Sequence, residues 1–251
     1  MMPLAQPSFL RLLRYDKLGS TNDEAKRLAD AGAEEWTVVS AREQSAGRGR
    51  GGRSFASPPG NLYFSVILRP AGSAASATQL GFAAAVAVGE TIAARLPPDR
   101  DLRYKWPNDV LVDGAKLSGI LLESAAAPDG ALAWLVAGIG VNVESHPEGT
   151  AWPATSLAAL STGSVDLEDL LRSIVMEFHR EMTRWLSEGF APVRAAWLAR
   201  AHELGRTVGV RLPRESFSGR FVDIDGNGVL LVETATGPRR ISAGEIFSVA
   251  A

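Results

Sequence analysis

Asp113-Gly114, set between the apolar runs Asp109-Val110-Leu111-Val112 and Ala115 to Leu122, is the strongest local constraint in the chain. The dipeptide specifies a two-residue turn of type I′, which demands positive φ at both positions and fixes the register of the strands it joins. That register sets Val112 opposite Ala115, Leu111 opposite Lys116 and Asp109 opposite Ser118. Alternation then places Asp109, Leu111, Lys116 and Ser118 on one face, with Asp109 and Lys116 as diagonal neighbours roughly 7–8 Å apart between Cα atoms. Such a pair either holds a metal-bound phosphate between its charges or forms a half-exposed cross-strand ion pair of little energetic weight. Asn108 and Asp109, following Pro107, equally suit ordinary residues leading into a strand.

A second dense feature runs from Gln44 to Arg53, Q-S-A-G-R-G-R-G-G-R, with four glycines and three arginines in its last seven residues. Glycine permits the positive φ and close backbone approach of an N–H nest, and arginine adds a planar fork of donors matched to carboxylate or phosphate. The stretch reads as an anion trap, as a solvated basic turn, or as an RNA-binding Arg-Gly segment. It occurs once, between two strand-like runs, which disfavours the last. The formal net charge of −2 supplies no general basic field, so the arginines are a local feature with a small ligand. The chain has no cysteine, which removes disulfides, thiolate metal sites and a cysteine nucleophile together.

The remaining segments read as a sheet with helices. Phe9 to Tyr15 is strand-like; Thr21 with Glu24 forms a capping box that opens a helix, and Gly32 suits its C′ position. Ser20, Thr21 and Asn22 are accordingly capping residues on this evidence. Trp36 to Ala41 and Asn61 to Arg69 are strands. Ser76 with Gln79 makes a second capping box, opening a helix of small apolar residues that packs tightly on the sheet until Pro97-Pro98 stops it. Leu132 to Val143 is an apolar strand. Gly138 and Gly140 at alternate positions imply close packing on one face or a bulge, and Asn142 shares their face. Glu144 to Pro153 is a polar loop suited to ordering over a ligand. An amphipathic helix from Leu167 ends near Gly189, and Pro192 opens another. Beyond Gly205 five short strands read as a small β-barrel, giving domains 1–204 and 205–251. His146, His179 and His202 show no metal-ligand spacing. No apolar signal segment follows Met1 and no apolar run reaches the roughly 18 residues that span a bilayer, so a cytoplasmic protein without a membrane segment is expected.

With these residues in place the chain resembles the biotin protein ligases over nearly its whole length. The family pattern of S-T-N, Q with G-R-G-R, K-W-P-N-D, K-L-x-G-I-L and G-I-x-N is present in order: Ser20-Thr21-Asn22, Gln44 with Gly47-Arg48-Gly49-Arg50, Lys105 to Asp109, Lys116 to Leu121, and Gly138 to Asn142. The resemblance implies an α+β fold, a class II aminoacyl-tRNA synthetase-like mixed sheet backed by helices and followed by a small SH3-like barrel. Members that double as repressors carry an N-terminal helix-turn-helix. This chain begins close to the catalytic part, so DNA binding is not expected. The aromatic that is often Trp after the Gly/Arg loop is Phe55 here, which leaves the manner of loop ordering open.

The implied reaction uses ATP and Mg²⁺ to activate biotin as biotinyl-5′-AMP, then passes the acyl group to a lysine of a biotin carboxyl carrier protein. By resemblance Lys116, Arg48 and Arg50 are catalytic, serving the carboxylate and phosphates. Asp109, with Asn108 beside it, favours Mg²⁺-ATP. Ser20, Thr21, Asn22, Gln44, Gly47, Tyr63, Ser65, Gly119, Leu121 and Gly138 hold biotin, and Trp106, Asn108 and Asn142 meet the nucleotide. A lipoate or octanoate protein ligase is the nearest rival, and a nucleic-acid-binding regulator the rival of another class. A monomer and a homodimer both fit.

Overall fold

The computed structural model describes residues 9–71, 73–150, 152–160 and 163–248. The chain runs β1 (Arg11–Leu18), α1 (Thr21–Asp30), β2 (Thr37–Gln44), β3 (Leu62–Leu68), a single turn α2 (Ala74–Ala77), α3 (Leu80–Ala93), β4 (Leu102–Lys105), β5 (Asp109–Val112), β6 (Ala115–Ala126), β7 (Leu132–Val141), α4 (Leu167–Glu188) and α5 (Phe190–Ala199). Five further strands follow: β8 (Thr207–Arg211), β9 (Ser216–Ile224), β10 (Leu230–Thr234), β11 (Gly237–Ile241) and β12 (Glu245–Ser248). The first seven strands form one sheet in the order β1-β2-β3-β7-β6-β5-β4, parallel between β1 and β2 and antiparallel elsewhere. This is the mixed sheet backed by helices that the α+β reading expects. Among the described residues no helix is long and apolar enough to cross a membrane.

Strand alternation decides which face carries chemistry. Leu135, Ala137 and Ile139 of β7 join the large core beneath α3, α4 and α5, whereas Trp134 and Val136 join Ala25, Ala29, Val39 and Ile67 beneath α1. Gly138 and Gly140 continue the second parity, so the helix-covered face is apolar throughout and the other face opens beyond α1. The smallness of α3 has the purpose expected of it: Leu80 to Gly89 are all buried, and a methyl at Gly89 would stand 2.2 Å from the Tyr104 hydroxyl oxygen. Gly189 ends α4 as expected, but α5 opens two residues before Pro192, at Phe190.

The two-residue turn forms as its sequence requires. Asp113 and Gly114 both have positive φ, 50° and 77°, as a type I′ turn requires. The register leaving that turn holds for Val112 with Ala115 and Leu111 with Lys116, then slips: Val110 pairs with Ser118 and Asp109 with Gly119 rather than with Ser118. Leu117 is the extra residue of this bulge, fully buried, and the slip turns Gly119 to the face of Asp109. Neither expected capping box forms. Ser20 is the N-cap of α1 without a side-chain cap bond, and Ser73, not Ser76, caps α2 by accepting the Ser76 N–H. Gln79 spends its side chain on tertiary partners instead, donating to Gly226 O at 2.9 Å and accepting from Trp185 Nε1 at 2.7 Å.

The last five strands form an antiparallel sheet in the order β11-β10-β9-β8-β12. Its 225–228 turn is plugged into the first sheet's helical layer. Trp106 Nε1 donates to Gly228 O at 3.2 Å, Arg194 Nε donates to Ile224 O at 2.6 Å, and Gly228, at φ 76°, lies against the Phe82 ring.

One buried acid in α4 is poorly provided for. Glu181 is 1% exposed; its Oε1 meets Arg180 Nη2 at 3.1 Å, while Oε2 has no hydrogen-bond partner among the described residues. Burial raises its carboxyl above the usual glutamate range. A folded-state pKa raised in this way gives a stability contribution that is present at low pH and lost as pH rises through the folded value. Glu181→Gln is therefore expected to raise the calorimetric unfolding midpoint by about 2–4 °C near pH 8, equivalent to about 1 kcal/mol. The gain shrinks towards about pH 5; a midpoint unchanged near pH 8 would contradict this account.

Candidate active site

The N-terminus of α1 faces the end of β2 across a continuous line of polar side chains. Gln44 Oε1 accepts from both Thr21 N (2.8 Å) and Thr21 Oγ1 (3.1 Å), while Gln44 Nε2 donates to Ser57 Oγ at 2.9 Å. Those partners leave the amide one orientation. Ser65 Oγ, fully buried, lies 2.8 Å from Thr21 Oγ1 and 2.6 Å from Asn22 Oδ1, and Asn22 Nδ2 donates to Glu123 Oε2 at 2.7 Å. The Thr21 hydroxyl is thus used across the fold rather than as a cap, and Glu24 pairs with Tyr15 and Arg27. Beneath Asn22 lies Gly138, where a methyl would stand 2.1 Å from Asn22 Oδ1.

The Gly/Arg loop is a short hairpin closed at its base. Phe55 N donates to Gly47 O, Gly49 N to Arg53 O, and Gln44 N to Ser57 O, with Gly51 and Gly52 at φ 68° and 76° around the tip. Of the loop's N–H groups, those of Ser45, Ala46, Gly49 and Phe55 donate to the Leu18, Gly19, Arg53 and Gly47 carbonyls. Arg48 forms a two-pronged pair with Asp23, both contacts 2.6 Å, with Glu123 Oε2 3.7 Å away. The guanidinium's hydrogen bonds hold the Asp23 carboxyl down at about 2, well below the usual aspartate value. Arg50 donates to Gly244 O at 2.6 Å and lies 6.0 Å from the Trp106 ring centroid; Arg53 reaches Glu245 at 2.5 Å. The Phe55 ring presses on Gly140, where a methyl would meet it at 2.7 Å, and stands edge-on to Tyr63.

The slip in the β5–β6 hairpin builds the charged centre. Lys116 Nζ lies 2.6 Å from Asp109 Oδ1, and Lys105 Nζ lies 3.9 Å from Asp109 Oδ2 and 4.2 Å from the Trp152 ring centroid. Lys116 is fixed on both sides of its backbone, its N–H donating to Pro153 O (2.7 Å) and its carbonyl accepting from Thr155 N (2.9 Å). A side chain at 119 would crowd this pair: a methyl there would stand 3.2 Å from Lys116 Nζ. Burial lowers the Lys105 ammonium below the ordinary lysine value and the Arg50 guanidinium below that of arginine. Both therefore gain from an incoming anion.

Gln44, Arg48, Arg50, Lys105, Asp109, Lys116 and Asn142 all open onto one cavity of about 640 Å³. Ser20, Thr21, Asn22, Trp106, Asn108, Gly119, Leu121 and Gly138 line it as well. Arg48 and Lys116, from segments far apart in the chain, thus face a common space. Three expected contact residues do not reach it. Gly47 is wedged against Phe55 O and Ser57 Oγ, the Tyr63 hydroxyl is tied to Pro58 O, and Ser65 stands behind Thr21 and Asn22.

The protein-family model "Biotin/lipoate A/B protein ligase family" matches residues 24–199, and "Biotin protein ligase C terminal domain" matches 204–248. A curated biotin–[acetyl-CoA-carboxylase] ligase of Paracoccus denitrificans is 41% identical over 233 residues, covering 91% of this chain and 96% of that protein. The chain belongs to the biotin protein ligase family. A family relative from Bacillus subtilis, the bifunctional ligase/repressor BirA, is 35% identical over 94% of this chain and 73% of its own length. The biotin protein ligase of Aquifex aeolicus, solved in complex with biotin and ATP, superposes with a TM-score of 0.78 at 27% identity, covering 94% of this chain and 97% of that one.

Several residues in and around the cavity carry no local signal in sequence. Arg211, Glu245, Ile246 and Phe247 come from β8 and β12 of the second sheet, and Trp152 from the 144–153 loop. Asp23 and Glu123 look like ordinary surface acids in sequence. Lys105 lies inside the Lys105 to Asp109 motif, but the spacing alone gives it no partner. No group of three or more metal-type side chains exists among the described residues. Asp109 is different: its buried Oδ1 contacts Lys116 without a well-angled hydrogen bond. One such carboxylate fits a Mg²⁺ that arrives on phosphates, and does not fit an all-protein cage.

Asn22 cannot retreat from Gly138, because Glu123 and Ser65 hold both ends of its amide. Gly138→Ala is expected to cost about 1–3 kcal/mol of stability in denaturant titration. Gly19→Ala, with nothing within 4 Å of the added methyl, should stay within about 0.5 kcal/mol. Equal effects from the two would remove the close approach as the cause.

Proposed function

We propose that this chain is an ATP-dependent biotin protein ligase that forms biotinyl-5′-AMP and transfers the biotinyl group to a lysine of a biotin carboxyl carrier domain. The observation that carries it is the convergence of Arg48, Arg50, Lys105 and Lys116 on one cavity whose other end is a line of hydroxyl and amide groups. A recess of hydroxyls and amides suits a ureido ring with donors and acceptors, and a cationic centre suits a carboxylate and phosphates.

The first step joins two anions, so the protein's contribution is to neutralise and align them. Thr21, Gln44 and Asn22 orient the ring end above Gly138. Lys116 lies where the carboxylate oxygen and the α-phosphate meet, and its ammonium exchanges Asp109 for the developing charge. Arg48 is held ready by Asp23 beside the same oxygens. Asp109, with Asn108 behind it, would hold Mg²⁺ carried on the nucleotide, which spreads charge over non-bridging phosphate oxygens. Asn142 is fixed by Thr155 O at 2.9 Å and presents its remaining amide edge to the nucleotide.

In the second step a neutral lysine amine of the carrier attacks the acyl carbon, the acyl–oxygen bond breaks and AMP leaves with the electron pair. No enzyme nucleophile is required, in keeping with a chain that lacks cysteine. The mixed anhydride must be kept from water meanwhile. The Gly/Arg loop and Pro147, Thr150 and Trp152 all line the cavity, with Phe55 and Trp152 as apolar parts of that wall.

The test is intact-mass analysis of a purified carrier domain incubated with this protein, biotin, ATP and Mg²⁺. One biotinyl addition per domain is expected, and an unchanged mass overturns the reading. Lys116→Ala is expected to lower adenylate formation by about 10²–10³-fold while biotin and ATP still bind, as calorimetry would show. Arg48→Ala should still form adenylate but lose it to solvent about tenfold faster in a filter-retention assay, the worth of one charge-assisted contact.

A further inference from the structure

Lys105 closes β4 with its side chain 11% exposed, beneath the face of Trp152. Its three N–H donors make no hydrogen bond to protein among the described residues, and the nearest carboxylate oxygen, Asp109 Oδ2, is 3.9 Å away. A desolvated ammonium left without acceptors is costly, and here the single Asp109 carboxylate faces two such groups, with Lys116 holding the closer contact at 2.6 Å. The surplus positive charge opens onto the cavity. It has a definite place there. The ring end of the site lies over Gly138 on β7, and Lys105 on β4 is three strands away, roughly 14 Å at the usual strand spacing. Arg53 and Glu245 close the same side with a 2.5 Å pair.

In-line displacement at phosphorus sets the leaving group opposite the nucleophile. With the carboxylate coming from the β7 side, the β- and γ-phosphates point towards β4. We propose that Lys105 is a further catalytic residue, the cation that receives pyrophosphate as it leaves the α-phosphorus; this rests on the ligase reading. A carboxylate oxygen bonds to the α-phosphorus, the bond from that phosphorus to the bridging oxygen breaks, and its electron pair departs on pyrophosphate. No proton moves. The ammonium compensates charge that grows on the bridging oxygen, and Trp152 keeps it aimed into the cavity through its ring face.

Lys105→Met keeps the length and the contact with Trp152 while removing the charge. Biotin-dependent exchange of labelled pyrophosphate into ATP should fall about 100-fold, while transfer from synthetic biotinyl-5′-AMP to a carrier domain stays within about threefold. Exchange within about threefold of the parent overturns the role, and so does an equal fall in both half-reactions in a folded variant. Should the variant fail to fold, the parent decides by amine acetylation read peptide by peptide in a mass spectrometer. Pyrophosphate is expected to protect Lys105, and unchanged labelling overturns the proposal. A parent that shows neither exchange nor transfer overturns the ligase reading itself, an outcome distinct from loss of exchange in the variant alone.

Discussion

Positive charge held out of water is the constraint around which this fold is built. Arg48, Arg50, Lys105 and Lys116 face one cavity, and like charges in a partly dry space repel and lose hydration together. The protein answers with counter-ions beside each cation: Asp23 and Glu123 beside Arg48, Glu245 beside Arg53, and Asp109 between the two lysines. Each carboxylate keeps its cation from collapsing onto a wrong partner. None of them fills the space that a carboxylate and three phosphates would need.

The scaffold serves that arrangement through strand parity and close approach. One parity of β7 is buried under the helices, and the other is reduced to glycine at 138 and 140 so that Asn22 and Phe55 can come down onto the sheet. Larger residues at either site would lift α1 or the Gly/Arg loop and widen the cavity from two directions. The bulge at Leu117 acts similarly on the other side, turning Gly119 under the Lys116–Asp109 pair.

What could be read from sequence divides by range. The Asp113-Gly114 turn, the Gly189 helix end and the amphipathic α4 were legible because their causes lie within a few residues. The bulge was not, since Leu117 leaves alternation only because its side chain finds a place in the core. Thr21 and Glu24 matched a capping box in spacing, yet Gln44 and Ser65 competed for the Thr21 hydroxyl and won. Glycines at 138 and 140 announced a close neighbour without naming it. The wall contributed by Glu245, Ile246 and Phe247 left no trace, because strand β12 has the pattern of any small barrel strand.

The two loop arginines that end at the start of β12 and on the residue before it bear on how such chains can be recombined. Arg50 finds Gly244 O across 194 positions of sequence, and Arg53 finds Glu245 next to it. A glycine-rich hairpin transplanted between homologues would therefore arrive without its moorings unless the distant strand travelled with it. Two contacts thus bind the loop's tip to the far end of the chain as well as to its own flanks.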